Sequence, residues 1–277
     1  MSIERTTSDS ARVVGALTGA GLVAALGMGP AYLVITSFYA VSLLLTFGIA
    51  RKVPSSEAQA GTRTAPPARV SPLHDLRDAI AYVWNAPLLL AAMSLAFLVN
   101  LTAYPLVLGL LPYVAKEIYQ TDQTGLGYLM ASFSAGALLG SITLTHKGST
   151  IRAARWMTIF CGGWFVMLAA FAHMQTLPAG IAMLVAAGVA QSFGLVPMSA
   201  LLLRNSDERF RGRIMGLRMF AIYGLPIGLL IAGPIIDRFG YYVMAMLYCG
   251  IGVMFTLLIA VRWRADVWRR EAQGNRM

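Results

Sequence analysis

The sequence predicts an all-helical integral membrane protein with eight transmembrane helices. Of its 277 residues, 57% are hydrophobic and only 12% are charged, whereas soluble domains average about 25% charged residues. The apolar residues form long uninterrupted runs, and the basic residues gather in the short segments between those runs. A helix that crosses a bilayer needs about 20 mostly apolar residues and satisfies its own backbone hydrogen bonds. These observations favour membrane-spanning helices over a soluble fold.

The net charge of +10 and the positions of the two cysteines indicate which ligands and cross-links to expect. Clustered basic residues in a soluble protein would indicate nucleic-acid binding. Here they flank apolar runs, so we expect contact with anionic lipid headgroups and no nucleic acid. Cys161 and Cys249 both lie inside apolar runs, which predicts packing residues rather than a disulfide or a metal site. We expect no metal and no cofactor.

Residues 1–50 are predicted to hold two transmembrane helices. Residues 13–50 contain no charge and are too long for one span. The sequence Gly27-Met28-Gly29-Pro30 divides them into helices near 12–28 and 30–50, because glycine and proline mark turns. Gly15 and Gly19 form a G-x-x-x-G pattern on the first helix, which predicts close helix packing in lipid.

Residues 51–84 are predicted to form a cytoplasmic linker and an amphipathic surface helix. Residues 51–71 are rich in proline, serine, alanine, glycine and threonine and lack apolar periodicity, which favours disorder. From Pro72 onward the apolar residues recur on one helical face, as in a helix that lies along a membrane surface.

Residues 85–263 are predicted to form a six-helix bundle, and residues 264–277 a basic cytoplasmic tail. The charge-free stretch 156–203 is too long for one span, and Thr176-Leu177-Pro178 divides it. The six spans are expected near 86–110, 125–145, 156–175, 178–203, 219–236 and 241–261. Two more G-x-x-x-G patterns predict close helix packing: Gly136 with Gly140, and Gly224 with Gly228.

The distribution of lysine and arginine predicts the orientation in the membrane. With eight spans and the N-terminus inside, only Lys116 and Arg238 of the 22 basic residues lie on the outer side. Basic residues collect on the cytoplasmic side of membrane proteins. We therefore predict a protein of the plasma or inner membrane with both termini in the cytoplasm.

Four stretches resemble the major facilitator superfamily, and within it the drug and siderophore exporters. Residues 73–84 resemble the amphipathic helix after that family's central cytoplasmic loop, and residues 110–114 the outer end of its seventh helix. Residues 211–217 resemble its loop between helices ten and eleven, and residues 233–240 its link between helices eleven and twelve. After the span that ends near 145, the family's aspartate signature is missing, because residues 140–148 contain no acid.

The resemblance implies a transporter that exports amphipathic small molecules as two helix bundles rock about a central cavity. The eight spans would match the family's helices five to twelve, with the first four absent. An alternative is therefore an N-terminally truncated, non-transporting membrane protein, or one subunit of a split transporter. The partner would then be a missing four-helix N-terminal piece or a second copy of this chain.

Uncharged polar residues within the spans are the candidates for the substrate cavity. Asn100 and Tyr104 are four residues apart and share a helix face, and the resemblance places their span among those that line the cavity. Ser134, Gln191 and Tyr223 lie in the other spans that would line it. The alternative role for these residues is hydrogen bonding between helices, worth about 0.6 kcal/mol each.

The charged and titratable residues can likewise have either a functional or a purely structural role. No acidic residue lies mid-span, and His173 is the one histidine near a span interior. It could relay protons or face the headgroups. Basic residues near Arg211, Gly212 and Arg213 either anchor the topology or form a gate with an acid such as Asp207. The sequence lacks G-x-S-x-G, H-E-x-x-H and P-loop motifs, so no enzyme is predicted.

Overall fold

The structure is a computed structural model, and it describes residues 15, 18, 28–50, 72–147, 151–207 and 210–264. Within these residues all regular secondary structure is helical. We number the helices α1 Met28–Ala50, α2 Pro72–Trp84, α3 Pro87–Ile118, α4 Gln123–Lys147, α5 Ala153–Ala172, α6 Leu177–Arg204, α7 Arg211–Phe220 and α8 Gly224–Arg262. A single 3-10 turn, Ala221–Tyr223, joins α7 to α8.

Five helical stretches are long and apolar enough to cross a membrane: Pro87–Ile118, Gln123–Thr145, Ala153–Ala172, Leu177–Arg204 and Gly212–Arg262. They confirm an all-helical, multi-pass membrane protein. Most of the predicted first span, with Gly19, and the whole predicted linker 51–71 lie outside the described residues. The count of eight spans therefore stays a prediction.

The chain reverses direction at Gly240 inside the longest of these stretches. Gly240 has φ 82° and ψ 164°, which is not helical, and positive φ is accessible to glycine because it has no Cβ. The Tyr248 hydroxyl donates to the Gly228 carbonyl oxygen at 2.5 Å, although 20 residues of straight helix would separate them by roughly 30 Å. The arms of α8 before and after Gly240 are therefore antiparallel.

The bundle is built around α6, which packs against both α4 and α5, while α8 packs against α5 and α3. Trp164 of α5 is fully buried at the centre and stacks with Phe133 at 6.3 Å and Phe165 at 6.5 Å between ring centroids. Large apolar side chains such as Leu230 and Leu257 point outward. This arrangement suits a bundle whose outer surface meets lipid rather than water.

The ends of the helices fall into two groups, as the charge pattern predicts. At one end the Tyr242 hydroxyl lies 2.6 Å from Nε2 of His173 in a hydrogen bond, which joins the α5–α6 connection to the turn of α8. At the other end the rings of Tyr82 and Phe210 stack at 4.7 Å, which joins α2 to the α6–α7 connection. Which end faces the cytoplasm stays a prediction.

Helix α3 differs from its predicted span, because it runs to Ile118 and contains π-helical turns. These turns are Val99–Ala103, Pro105–Gly109 and Val114–Ile118. Pro105 has no N–H to donate, so the regular hydrogen-bond ladder is interrupted there. The Leu110 amide donates to the Pro105 carbonyl five residues back at 2.9 Å. The helix is therefore locally widened at this proline.

Two predicted connections are shorter than expected. The basic stretch from Arg211 to Arg218 is helical and forms most of α7, so the connection from α6 occupies only residues 205–210. Gly233 and Pro234 lie within the first arm of α8, inside the predicted span 219–236, although the family resemblance placed residues 233–240 in a link between helices. A proline can remain inside a transmembrane helix because neighbouring groups re-satisfy the freed carbonyl.

Candidate functional site

A cavity of about 400 Å³ lies between α3, α6, α7 and the start of α8. Its polar lining comes from Asn100 and Tyr104 of α3 and from Arg218 of α7. The remaining lining is apolar and consists of Ala96, Val99, Leu108, Leu195, Met198, Met215, Met219, Ile222 and Leu225. A mostly apolar wall with a few polar groups is the usual composition of a small-molecule site.

The π-helical part of α3 supplies both uncharged polar residues of the cavity. Asn100 is half-buried, and its Nδ2 donates to the Ala96 carbonyl oxygen at 2.8 Å, which leaves its side-chain oxygen available to accept. The Tyr104 ring packs edge-on against Trp164 at 5.2 Å between centroids. These contacts fix the orientation of both side chains before any ligand arrives.

Gln191 supports the cavity from behind rather than lining it. Its Nε2 donates to the Tyr104 hydroxyl at 3.0 Å, which connects α6 to α3. Gln191 is 2% exposed, and its Oε1 has no hydrogen-bond partner among the described residues. A buried acceptor without a partner costs about 1–3 kcal/mol. Among the described residues, the bond to Tyr104 is therefore the one hydrogen bond that holds this amide in place.

Ser134 and Tyr223 lie away from the cavity in this structure. Ser134 is on α4, 8% exposed, and is not one of the residues that line the cavity. Tyr223 is in the 3-10 turn before α8, 66% exposed, with its ring 6.1 Å from that of Phe220. Their assignment to a substrate pathway stays a prediction.

Sequence reasoning missed the methionines and the arginine of the cavity. Met198, Met215 and Met219 come from two helices and meet there. Methionine is flexible and polarisable, so it adapts to ligands of different shapes. Arg218 lies five residues beyond Arg213 on α7 and lines the cavity. Five residues correspond to about 140° of rotation around a helix, so Arg218 lies on a different face from Arg213.

Four of the predicted packing glycines lie at close helix contacts. A methyl group built on Gly136 of α4 would overlap the Val185 carbonyl of α6, and one on Gly140 would lie 2.8 Å from Cβ of Ser192. A methyl group on Gly228 of α8 would overlap the Leu101 carbonyl of α3. A methyl group on Gly224 would lie 3.0 Å from the Leu101 amide nitrogen of α3, whereas one on Gly15 would have nothing within 4 Å.

The predicted gate residues meet the amphipathic helix α2. Arg213 lies 3.8 Å from Asp78 of α2, measured between Nη1 and Oδ2, and its guanidinium lies 5.5 Å from the centre of the Phe210 ring. The Asp207 amide donates to the Tyr82 hydroxyl at 3.3 Å. Arg213 thus pairs with Asp78 of α2, whereas the Asp207 backbone bonds to Tyr82. Arg211 is the first residue of α7, and Gly212 has open space around it.

His173 lies at the opposite end of the bundle from this contact and does not line the cavity. Its Nδ1 is 2.8 Å from the Ala169 carbonyl oxygen. A carbonyl oxygen can only accept, so Nδ1 carries a proton and donates to it. At the same end, burial raises the pKa of Tyr119 to about 12. The Tyr119 hydroxyl is therefore neutral near physiological pH.

The helices define a multi-pass membrane protein with an internal cavity. The family model of the Major Facilitator Superfamily matches residues 1–225 and, in a second overlapping match, residues 93–275. The chain therefore belongs to the major facilitator superfamily, a family of membrane transporters whose members are generally not enzymes.

The curated relatives are described as multidrug efflux pumps. The chain is 24% identical over 190 residues to the protein named "Multidrug efflux pump Tap" in Mycobacterium tuberculosis and in Mycobacterium bovis. The match covers 68% of this chain and 44% of each relative. The chain thus matches less than half the length of these relatives.

Proposed function

We propose that this chain forms part of an exporter of amphipathic small molecules and works by alternating access in the cell membrane. The cavity between α3, α6 and α7 is the observation that carries the proposal, because it combines an apolar, methionine-rich wall with a few oriented polar groups. The similarity to multidrug efflux pumps supports export as the direction of transport.

In this proposal each part of the cavity has a distinct task. Met198, Met215 and Met219 contact the apolar body of the substrate and adapt to its shape. Asn100 and Tyr104 orient its polar groups, and Gln191 holds Tyr104 in position through their hydrogen bond. A π-helical stretch is a common place for a helix to change its geometry. We therefore assign the movement of α3 during transport to Val99–Gly109.

The test is ligand binding to the purified chain and its variants. Asn100→Ala should weaken the binding of amphipathic dyes about threefold to tenfold, because one hydrogen bond is worth about 0.5–1.5 kcal/mol. Asn85→Ala is the matched control, since Asn85 makes the same bond to a carbonyl four residues back, 2.9 Å, outside the cavity. Equal affinities of both variants for every dye in a broad panel would contradict the proposal.

A second candidate function is that of a subunit that transports only together with a further helical partner. The observation that favours it is the exposure of α1, where large apolar side chains such as Leu33, Tyr39 and Leu44 are more than half exposed. A four-helix partner or a second copy of this chain would cover that face.

Reconstitution distinguishes the two candidates. Proteoliposomes that contain this chain alone should show little or no saturable dye flux if a partner is required. Flux should then appear when the first four helices of a related exporter are co-expressed with it. Saturable flux from the chain alone, at a protein density too low for self-association, would contradict the subunit candidate.

A further inference from the structure

A second and larger cavity opens on the side of the bundle, where α2, α3, α7 and the end of α8 meet. Its volume is about 1000 Å³, and it shares no lining residue with the cavity described above. Helix α3 separates the two, with Phe97 and Leu101 on this side and Asn100 and Tyr104 on the other. We call this second cavity the lateral groove.

The lateral groove is suited to a ligand with a long apolar body. Phe97, Phe220, Phe255 and Leu258 line it and are each more than two fifths exposed. Apolar surface that is exposed on the membrane-spanning part of the bundle meets lipid rather than water. The groove is at the upper end of the range of about 300–1,000 Å³ for small-molecule pockets.

The one charged side chain that lines the groove is Arg262, and no acidic residue is among its described lining residues. Arg262 lies in the last turn of α8, and its guanidinium is 5.7 Å from the centre of the Trp263 ring. The guanidinium presents a fork of N–H donors that matches the oxygens of a phosphate. The charge of the groove therefore complements an anionic headgroup.

The aromatic residues at the mouth indicate its depth in the membrane. Trp84, which is 71% exposed, and Trp263 both line the groove, and tryptophan is enriched where the hydrocarbon meets the headgroups. Arg262 and Trp263 also follow directly after the apolar second arm of α8. The cationic mouth thus lies at the headgroup level, and the apolar part extends toward the bilayer centre.

We propose that the lateral groove binds an anionic phospholipid, with an acyl chain between α3 and the second arm of α8 and the phosphate on Arg262. The lipid then contacts Ile80 and Val83 of α2 as well as the bundle. It fills the space between the amphipathic helix and the transmembrane core. This site is separate from the substrate cavity, so it does not depend on what the protein transports.

Tryptophan fluorescence tests the proposal directly, because Trp84 and Trp263 lie at the groove. The purified chain is placed in phosphatidylcholine nanodiscs of two kinds. One kind contains phosphatidylglycerol with brominated acyl chains, and the other contains phosphatidylcholine with brominated acyl chains. One basic residue near the surface contributes about 1 kcal/mol to the attraction of anionic lipid, or about fivefold in affinity. We therefore expect brominated phosphatidylglycerol to halve the quenchable tryptophan fluorescence at about one fifth of the mole fraction at which brominated phosphatidylcholine does so.

The variants assign this preference to the groove. Arg262→Gln should abolish the preference for phosphatidylglycerol over phosphatidylcholine. Arg238→Gln, at an exposed arginine outside the groove, should keep that preference. Ser94→Phe should narrow the groove and reduce the access of both lipids to Trp84 without adding a fluorophore, with elution and melting like those of the parent as the check on folding. Equal quenching by the two lipids in the parent would overturn the proposal, and so would an equal loss of preference in the two arginine variants.

Discussion

At the scale of single residues, the hydrogen bond between Gln191 and Tyr104 connects the cavity to the rigid core of the bundle. Gln191 lies on α6, which packs against both α4 and α5, while Tyr104 lies on the π-helical part of α3. A polar contact between helices in a membrane is worth about 0.6 kcal/mol on average and about 1.7 kcal/mol at most. Its value here can be measured.

We predict that Tyr104→Phe and Gln191→Leu are coupled. Removing the tyrosine hydroxyl leaves the Gln191 amide without its acceptor, so Tyr104→Phe should destabilise the protein more in the parent than in the Gln191→Leu background. A double-mutant cycle of unfolding in detergent should give a coupling energy of about 0.6–1.7 kcal/mol. Additive effects would contradict the bond. Ser199→Ala serves as a control, because that hydroxyl bonds only within α6.

A second residue-scale prediction concerns Gly228. Any side chain there meets the backbone of α3 at Leu101, which cannot rotate away. Overpacking costs about 1–3 kcal/mol even where side chains can adjust, so Gly228→Leu should lower the melting temperature and the yield. Gly233→Leu is the matched control on the same arm of α8, where nothing lies within 4 Å. Equal stability of the two variants would contradict the close contact.

At the scale of elements, the amphipathic helix α2 docks on the connection from α6 to α7. Two kinds of contact hold it: the stacked rings of Tyr82 and Phe210, and the ion pair of Asp78 with Arg213. Aromatic pairs contribute about 0.5–1.5 kcal/mol. Exposed ion pairs contribute about 0–1 kcal/mol, and this one is long at 3.8 Å with a half-exposed carboxylate. The stacked rings should therefore contribute more than the ion pair to holding α2 in place.

We predict that Tyr82→Ala releases α2 more than Asp78→Asn does. Hydrogen exchange followed by mass spectrometry should show faster exchange of the amides of residues 72–84 in Tyr82→Ala and a small change in Asp78→Asn. Tyr128→Ala is the control, because that tyrosine is exposed on α4 and far along the chain from this contact. A larger effect of Asp78→Asn would show that charge rather than ring stacking holds the helix.

At the scale of the whole molecule, the two groups of helix ends differ in charge. Arg152, Arg204, Arg213 and Arg262 belong to the end that carries α2, whereas Lys116 and Arg238 belong to the end of His173 and Tyr242. Basic residues stay on the cytoplasmic side during insertion. We therefore propose that the α2 end faces the cytoplasm.

Cysteine labelling in intact cells tests this orientation. The native Cys161 and Cys249 are buried, so single cysteines can be added in a background where both are replaced by serine. We predict that an impermeant maleimide labels cysteines at Gln120, Gln175 and Phe239 but not at Ala58, Ser149 or Gln273. Labelling of the Ser149 position from outside would contradict the orientation, and lysed cells provide the positive control.

The sequence alone predicted the features that depend on local chemistry. Long apolar runs predicted the helices, and Pro178 marked the start of α6 at Leu177. The glycine pairs predicted where helices pack closely: Gly136 with Gly140, and Gly224 with Gly228. These signals need no knowledge of the neighbours, because hydrogen bonding in hydrocarbon and the missing Cβ act within one segment.

Only the tertiary structure decided which helix faces meet. It brought Asn100 and Tyr104 to one cavity, put Gln191 behind them, left Tyr223 exposed and paired Arg213 with Asp78, 135 positions earlier in the chain. Helices in lipid are apolar on nearly every side, so the sequence contains little periodic signal for which side is buried. The rotation of each helix is set by packing against its neighbours, and that packing exists only in the folded bundle.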